Sequence, residues 1–498
     1  MLIGEPGVLF TKDEIFDRLW PDVTVTDNAL TQVISELRFA MGDKPGSAIY
    51  IETVPRRGYR WIAPVEVVDP DPVVRSHDAG AGLEVSSPLT QAAQLQSAIV
   101  TALMAGLKVT LTASPAHAVA PRETPSLEAE RLVNEGRLKL ETLQPKAIHS
   151  AVSDFTRAIA LDPVYTRAHI GLAHARFWRY QATRAHNRPD FAELDAAIAH
   201  AERAVEIDPS QAESHAALSF FLSVTSRVED RLKHGRLAVS LEPGNWRYQF
   251  QLGAAAWGSE RLECLAFVIK QYPVLTHSHF AASMVHIARG NLAAADAVLV
   301  EGLETQRKTP SDRFPGRGLN WVRGLIAFRQ DRVADARAAF DAELAVEGDD
   351  MFADEFLMDA MSAHGFVCLA EQDFSGAEAW FQRALKLLPD HARSWFGLST
   401  ARRLQGDEES ADEARQRAER AARELIANGR DVEGAMATAA GFFLERDIKD
   451  ACVTVSTMLA TAPAGLGCWT LPVEPWLRPY VDDPRVVALF DQLAASAT

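Results

Sequence analysis

A recurring helix ending constrains this 498-residue chain more than any other feature. Helix-patterned stretches end at Leu161-Asp162-Pro163, Ile207-Asp208-Pro209, Leu241-Glu242-Pro243 and Leu387-Leu388-Pro389. Pro209 and Pro243 are 34 residues apart, whereas Pro163 and Pro209 are 46 apart, which adds a 12-residue insertion near Arg184–Leu194. A period of 34 predicts stacked helix–turn–helix units, because proline ends the second helix of each unit.

Small residues recur at fixed distances before two of these prolines. The offsets of 5, 8 and 12 residues hold Ala384, Phe381 and Ala377 before Pro389, and Ala158, Phe155 and Ala151 before Pro163; Gly365 precedes Pro389 by 24. We expect the small residues to lie where two helices cross closely, with the aromatic ring filling the space beside them. This stretch resembles the tetratricopeptide repeat family. The resemblance implies a continuous α-solenoid, because only a neighbour covers the apolar face of each repeat.

The predicted fold is therefore mainly α, with a small winged helix-turn-helix domain ahead of the repeats. Residues 1–68 form that domain, 69–123 a linker rich in Pro, Gly and Ser, 124–469 the repeat superhelix and 470–498 a carboxy-terminal cap with a helix at 485–493. Repeats near Gly290–Leu303 and Gln330–Leu344 keep the small residues but lack the closing proline, so their limits stay open.

The first 68 residues hold two helix signals. Thr11-Lys12-Asp13-Glu14 has the residues of a capping box. A second helix is predicted over residues 28–41, with Leu30, Ile34 and Leu37 on its inward face. Its outward face carries Asn28, Gln32, Ser35 and Phe39, flanked by Thr31 and Arg38. These are mostly hydrogen-bonding side chains, which suit base edges in a major groove. Taken alone, such a face is typical of any solvated amphipathic helix.

A hairpin signal follows that helix. Residues 50–54 and 59–62 alternate like strands around Pro55-Arg56-Arg57-Gly58. The order of helix, helix and Arg-tipped hairpin resembles the OmpR/PhoB-type winged-helix output domain, and most closely that of ToxR/CadC-like one-component regulators. The matching segments are Val25–Leu30, Ile34–Arg38, Gly42-Asp43 and Tyr50–Arg60.

This resemblance implies contacts with double-stranded promoter DNA. Helix 28–41 would enter the major groove, and the wing at 55–60 would reach the backbone or the minor groove. Lys12 and Thr11 would hold a phosphate at a helix N-terminus. The implied DNA-binding residues are Thr11, Lys12, Asn28, Thr31, Gln32, Ser35, Arg38, Arg56, Arg57, Tyr59 and Arg60. A homodimer on DNA is also implied.

Three features depart from the family. One is Phe39, at an outward position where such helices often carry a basic residue, which removes a possible phosphate contact. A first sheet and helix precede this region in the family, and only residues 1–7 stand in their place, so we expect a domain with little stability to spare. Residues 1–68 hold 7 Lys and Arg against 10 Asp and Glu. The electrostatic attraction for DNA must therefore come from local placement of cations.

Composition excludes several other classes. The formal net charge of −16 argues against a chain whose whole surface binds nucleic acid or anionic membrane. Four scattered cysteines predict buried thiols in a reducing compartment rather than disulfides. Phosphate-loop, zinc-protease and nucleophile-elbow motifs are absent from the sequence, and the His277/His279 pair alone is not a metal site. We therefore expect no enzyme activity, catalytic residue, metal or cofactor.

Localisation depends on the apolar run at 98–111. This run is shorter than the roughly 20 residues of a membrane span and contains Lys108, which favours a cytoplasmic protein. The alternative is a single pass through the inner membrane at about 98–111.

Two functional hypotheses remain. The first is a one-component transcription regulator whose repeats sense or dock a protein, peptide or small effector, RNA polymerase among the candidate partners. The second is a tetratricopeptide interaction scaffold whose DNA-binding module has decayed. The operator, the effector and the sign of regulation are not encoded in these motifs.

Overall fold

The computed structural model describes residues 2, 7–12, 14–15, 34, 50–54, 57–63 and 124–498, the last range without 186–187, 311–314, 349, 464 and 466–467. Most of the predicted helix 28–41, Arg56 and the apolar run 98–111 lie outside these residues. The chain divides into two compact units, Met1–Val119 and Ala120–Thr498. The division falls inside the predicted linker.

A three-stranded antiparallel sheet forms the described part of the first unit. Its strands are β1 (Leu9–Thr11), β2 (Ile51–Val54) and β3 (Gly58–Trp61), in the order β1-β3-β2. The hairpin of β2 and β3 confirms the predicted wing. Strand β1 was not predicted, because three residues are too few for an alternating pattern to be recognised in sequence.

The sheet packs on a small apolar core. Phe10, Ile15, Ile34, Ile51, Tyr59 and Trp61 are each at most 4% exposed and contact one another. Ile34 was predicted to face inward, and its burial confirms that orientation for the one described residue of helix 28–41. With so few described core side chains, each contributes a large share of the domain's hydrophobic stabilisation.

Paired helices make up the second unit, as the mainly α prediction requires. In chain order the pairs are α1 (Leu127–Leu140) and α2 (Pro145–Leu161), α3 (Thr166–Ala185) and α4 (Phe191–Ile207), α5 (Ala212–Leu222) and α6 (Val228–Leu241), α7 (Trp246–Ala255) and α8 (Gly258–Gln271), α9 (Thr276–Ala288) and α10 (Leu292–Lys308), α11 (Leu319–Arg329) and α12 (Val333–Leu344), α13 (Ala353–Ala370) and α14 (Phe374–Leu387), α15 (Ala392–Leu404) and α16 (Glu408–Ala427), and α17 (Asp431–Leu444) and α18 (Ile448–Thr461). Among the described residues, no helix is both long and apolar enough to span a membrane.

The predicted crossing of small residues and aromatic rings is confirmed. Phe381 of α14 is fully buried between Gly365 of α13 and Gly397 of α15, and a Cβ on Gly365 would lie 2.6 Å from the Phe381 ring. Phe155 of α2 occupies the same position between glycines of α1 and α3. Glycine at these crossings lets the helix backbones approach the ring, which fixes how each helix pair packs on the next.

Each predicted proline follows the end of a second helix. α2 ends at Leu161 before Pro163, and α14 ends at Leu387 before Pro389. The proline carbonyl is then hydrogen-bonded from six residues further on, by the His169 Nε2 at 3.0 Å and by the Trp395 Nε1 at 2.7 Å. These contacts connect the turn between repeats to the first helix of the next repeat.

The insertion near residues 184–194 lengthens one helix. α3 has 20 residues, whereas its counterpart α5 has 11. The extra turns of α3 end near Arg184, whose side chain reaches helices of later repeats. The sequence located the insertion but not the contacts that it makes.

The carboxy-terminal segment does more than cap the last repeat. It holds two 3₁₀ turns (Leu471–Val473 and Pro475–Tyr480) and helix α19 (Pro484–Ser496). These elements pack on α18, as a cap would, and also against α9, α11, α13 and α17. The Arg289 Nε donates to the Ala497 carbonyl at 2.8 Å, and the Ser259 hydroxyl donates to the Thr498 carbonyl at 2.9 Å. The segment therefore connects the end of the described chain to its middle repeats.

Candidate nucleic-acid interface and central cavity

The predicted capping box is present at the end of β1. The Glu14 amide donates to the Thr11 hydroxyl oxygen at 3.2 Å, and the Thr11 amide donates to the Glu14 carboxylate at 2.8 Å. This reciprocal pair fixes the N-terminus of the helix that begins at Lys12. Thr11 is half-buried and uses its hydroxyl in this contact.

Gly58 fixes the wing against β1. Thr11 pairs with Gly58 across the sheet, and Gly58 has a φ of +155°. A Cβ at position 58 would overlap the Phe10 carbonyl oxygen, so only glycine fits. The pairing places Thr11 and Lys12 at the same end of the sheet as the wing turn, where Arg57 precedes Gly58.

The two described wing arginines differ in their surroundings. Arg57 is exposed at the turn, where its amide donates to the Val54 carbonyl at 3.0 Å. The Arg60 guanidinium is bound across the hairpin by Glu52, with a 2.8 Å contact from Nε. The carboxylate neutralises much of the Arg60 charge, which leaves Arg57 as the better candidate of the two for a phosphate contact.

Tyr59 requires a correction. The sequence placed it among the DNA-contacting residues, but its side chain is only 4% exposed and belongs to the core with Phe10 and Trp61. The strand alternates faces, so Tyr59 points inward where Arg60 points outward. Its role is to hold the wing on the core. For Asn28, Thr31, Gln32, Ser35, Arg38 and Arg56, which lie outside the described residues, DNA contact stays a prediction.

A large cavity is the main feature of the second unit. It has a volume of about 2060 Å³, and its lining comes from most repeats and from the carboxy-terminal segment. Typical small-molecule pockets have about 300–1,000 Å³. The cavity is therefore large enough for a ligand to occupy only part of it.

Aromatic rings form a band along the first helices of successive repeats. Trp178 of α3 contacts Phe220 of α5 at 6.0 Å between ring centroids, and Phe280 of α9 contacts Phe356 of α13 at 5.7 Å. Trp469, from the carboxy-terminal segment, packs edge-on against Phe280 at 5.7 Å. Trp178, Trp246 and Trp321 combine ring packing with lining the cavity.

Charged side chains of the cavity wall form a network across three parts of the array. Arg393 of α15 binds Glu474 at 2.9 Å and Asp359 of α13 at 3.4 Å. Burial, with Glu355 and Glu474 nearby, raises the pKa of Asp359 to about 7 against the opposing effect of Arg393. Burial of an acid disfavours its charged form, which explains the direction of this shift.

A second part of the network joins distant repeats. Arg184 at the end of α3 lies 3.8 Å from Glu355 of α13 and 3.7 Å from Glu433 of α17. The Arg430 guanidinium donates to the Arg184 carbonyl at 2.9 Å. Trp178 and Phe352 add an edge-on ring contact at 6.5 Å. These contacts bridge the cavity between the second repeat and the seventh and ninth.

Other predicted features have simple outcomes. All four cysteines are buried and free, as predicted, and burial raises the pKa of Cys264 to about 12 and that of Cys468 to about 11. His277 lines the cavity. In the part of the chain that the structure describes, no group of three His, Cys, Asp or Glu side chains is arranged to hold a metal ion.

One signal in the sequence was overlooked. Phe352, Glu355, Phe356 and Asp359 are spaced i, i+3, i+4 and i+7, which places them on one face of α13. All four line the cavity. The alternation of aromatic and acidic residues on one helical stripe is visible without a structure, although nothing in the sequence tells that this stripe faces a cavity.

The first unit matches a known family. Residues 1–61 match the family described as "Transcriptional regulatory protein, C terminal". The chain is 30% identical over 135 residues to the cholera toxin transcriptional activator of Vibrio cholerae serotype O1, which covers 27% of this chain and 44% of that protein. It is 37% identical over 83 residues to the transcriptional activator CadC of Escherichia coli strain K12, and this match covers 16% of this chain and 15% of that protein. The chain thus spans less than half the length of these curated relatives. The predicted resemblance to OmpR/PhoB-type domains is confirmed for the amino-terminal residues.

The second unit has similar solved structures. A tetratricopeptide repeat protein from Parabacteroides merdae covers 59% of this chain at 11% identity and a TM-score of 0.37, with 99% of that protein covered. Yeast Tom70 covers 68% of this chain at 14% identity and a TM-score of 0.45, with 69% of that protein covered. The assignment of the repeats itself rests on the helix pairs and on the glycine–phenylalanine crossings described above.

Proposed function

We propose that this chain is a cytoplasmic one-component transcription regulator, which binds promoter DNA through its first unit and senses an effector or partner through its repeats. The family match of residues 1–61 carries the proposal. The exposed Arg57 on a wing fixed by Gly58 supports it, since a phosphate contact needs a cation held in place. The cholera toxin transcriptional activator and CadC, by their names, are transcriptional activators, which favours activation over repression.

The proposal assigns binding, not catalysis, to both units. Helix 28–41 would read bases in the major groove while Thr11, Lys12 and Arg57 position the domain on phosphates. We further propose that the protein binds DNA as a homodimer, because one small acidic domain offers few phosphate contacts. RNA polymerase is the proposed protein partner of the activating state.

An electrophoretic mobility shift with the DNA upstream of the protein's own gene tests this proposal. We expect sequence-specific binding that weakens as salt rises, since each phosphate contact contributes about −0.9 to the slope of log K against log[salt]. Arg57→Ala should lower affinity for all sequences and make the slope shallower. Gln32→Ala should lower the preference for the specific site with little change in slope.

Arg131→Ala serves as the matched control, because Arg131 is an exposed arginine of α1 paired with acids of its own helix. Absence of any salt-sensitive binding would reject the regulator and favour the interaction scaffold, which predicts unchanged partner capture after deletion of residues 1–68. Recovery of the full-length protein only with detergent-solubilised membranes would overturn the cytoplasmic assignment in favour of a span at 98–111.

A further inference from the structure

The α13 stripe is the most chemically distinctive part of the cavity wall. It presents two aromatic rings, Phe352 and Phe356, and two carboxylates, Glu355 and Asp359, on a single helical face. Trp178 contacts the first ring at 6.5 Å, and Trp321 contacts the second at 6.0 Å. Aromatic rings beside carboxylates are the surroundings that organic cations prefer in proteins, because ring faces and carboxylates both attract positive charge.

Charge in the network around this stripe is unbalanced. Its ion pairs form two groups. Arg184 and Arg430 pair with Glu355 and Glu433, whereas Arg393 alone pairs with both Asp359 and Glu474. Every arginine already contacts an acid, so one carboxylate lacks a full counter-charge. A surplus charge in a poorly solvated wall is unfavourable unless a proton or a bound cation compensates it.

Asp359 is the acid that carries this surplus. Its contact with Arg393 is long, at 3.4 Å, because the same guanidinium binds Glu474 at 2.9 Å. The Glu474 carboxylate also accepts the Thr470 hydroxyl at 2.6 Å. Burial also raises the pKa of Asp359 to about 7, so both its protonated and its ionised form are populated near neutral pH.

We propose that the α13 stripe binds a small organic cation, with its ammonium or guanidinium group against Asp359 and Glu355 and its apolar or aromatic body on the ring band. This assignment rests on the proposed function, in which the repeats are the sensor, and it names the chemical class of the effector. The bridge from Arg430 to the Arg184 carbonyl connects the walls, which favours a ligand enclosed by the cavity over a continuous peptide passing through it.

Binding of the cation should release a proton. Four charged groups on other positions face Asp359: Arg393 and Arg430, which favour its ionised form, and Glu355 and Glu474, which oppose it. A cation beside the carboxylate stabilises the ionised form further. We therefore expect affinity to tighten several-fold between pH 6 and pH 8, with proton release detected as a dependence of the binding heat on buffer ionisation enthalpy.

Isothermal titration calorimetry on the full chain, without DNA, tests the site. The probes are phenethylammonium, the neutral 2-phenylethanol and the anionic 3-phenylpropionate, which share the same ring and differ in charge. We expect phenethylammonium to bind at least tenfold more tightly than either analogue. Binding of 3-phenylpropionate as tight as that of the ammonium would overturn the proposal, as would no binding of the ammonium.

Variants locate the site. Asp359→Asn should weaken phenethylammonium binding at least tenfold and abolish its pH dependence, whereas Glu213→Gln should change neither. Glu213 is the matched control because it lines the same cavity and pairs with Arg137, outside the network. If Asp359→Asn misfolds, the pH dependence of phenethylammonium affinity in the unaltered protein tests the site instead. An affinity that does not change between pH 6 and 8 rejects the assignment to Asp359.

Titration with a basic peptide tests whether the cation belongs to a small molecule or to a polypeptide side chain. Tighter binding of acetyl-Phe-Lys-Phe-amide than of phenethylammonium would assign the stripe to a basic polypeptide segment and overturn the small-ligand proposal. Because these titrations contain no DNA, failure here leaves the mobility-shift result unaffected, and failure there leaves the ligand result unaffected.

Discussion

Both units of this protein place a glycine against an aromatic residue, but over different distances along the chain. Gly58 of β3 fits against the backbone of Phe10, 48 positions earlier, whereas Gly365 of α13 fits against the ring of Phe381, 16 positions later. Contacts between neighbouring helices repeat along the second unit, so each has a counterpart elsewhere. Among the described residues of the first unit, the sheet contact has no such counterpart. We infer that the first unit depends on single contacts, whereas the second distributes its stability over many.

Gly58→Val should give the largest effect. The added side chain overlaps the Phe10 carbonyl and separates β1 from β3, which we expect to cost about 4 kcal/mol or more of unfolding free energy, most of what a small domain has. Hydrogen exchange of residues 9–11 and 51–61, measured by mass spectrometry, should rise to the unfolded rate, and DNA binding should be lost.

The control for that variant is Gly7→Ala. Gly7 also has a positive φ, of +82°, but open space surrounds its Cβ position, so only backbone strain of about 1–2 kcal/mol is expected. If both substitutions accelerated exchange equally, the close approach at Gly58 would not be the reason for its sensitivity.

Phe381→Ala tests the distributed stability of the repeats. Removal of this fully buried ring leaves a cavity between α13 and α15, and we expect a loss of about 3–5 kcal/mol. Chemical denaturation should show the loss, and exchange should rise in α13–α15 first. Leu404→Ala, at a 52% exposed position, should change stability by about 0.5 kcal/mol or less. Uniform acceleration across α1–α18 would contradict the repeat-by-repeat description.

Arg184→Glu tests the long-range bridge from α3 to α13 and α17. The variant places a carboxylate beside Glu355 and Glu433, and we expect a loss of about 1–2 kcal/mol, because Arg184 is still one quarter exposed. Small-angle scattering should show a larger radius of gyration. Arg203→Glu, on an exposed helix face with only a local partner, should leave the radius unchanged.

Acid should weaken the repeats by the smallest amount. Burial lowers the pKa of His174 to about 4 from an ordinary value of 6.5. Below pH 6.5 the unfolded chain binds protons that the folded chain does not, so stability falls as pH falls towards 4 and is unaffected above 6.5. We expect His174 to contribute a loss of about 1 kcal/mol between pH 6.5 and 5.5, which His174→Gln should reduce. A stability that rises over this interval would contradict the assignment.

The separation of contacting residues along the chain also explains which features the sequence predicted. The repeat period, the buried Phe155 and Phe381, the capping box of Thr11 and the hairpin were predicted correctly, because each is encoded by residues close together in the chain. Tyr59 was misplaced because a resemblance identifies a motif and does not separate its inward residues from its outward ones. The bridge at Arg184 and the return of the carboxy-terminal segment to Ser259 and Arg289 depend on superhelical curvature, which accumulates from small rotations at every repeat and has no local signature.

The lengthened α3 also limits how such an array can evolve. Open solenoids gain and lose whole repeats freely, since each new unit needs only the neighbour before it. Here the twenty residues of α3 bring Arg184 to α13 and α17 only while the number of repeats between them stays fixed. Duplication or deletion of one repeat would rotate these partners apart. We therefore expect this architecture to evolve by substitution of side chains and not by gain or loss of whole repeats.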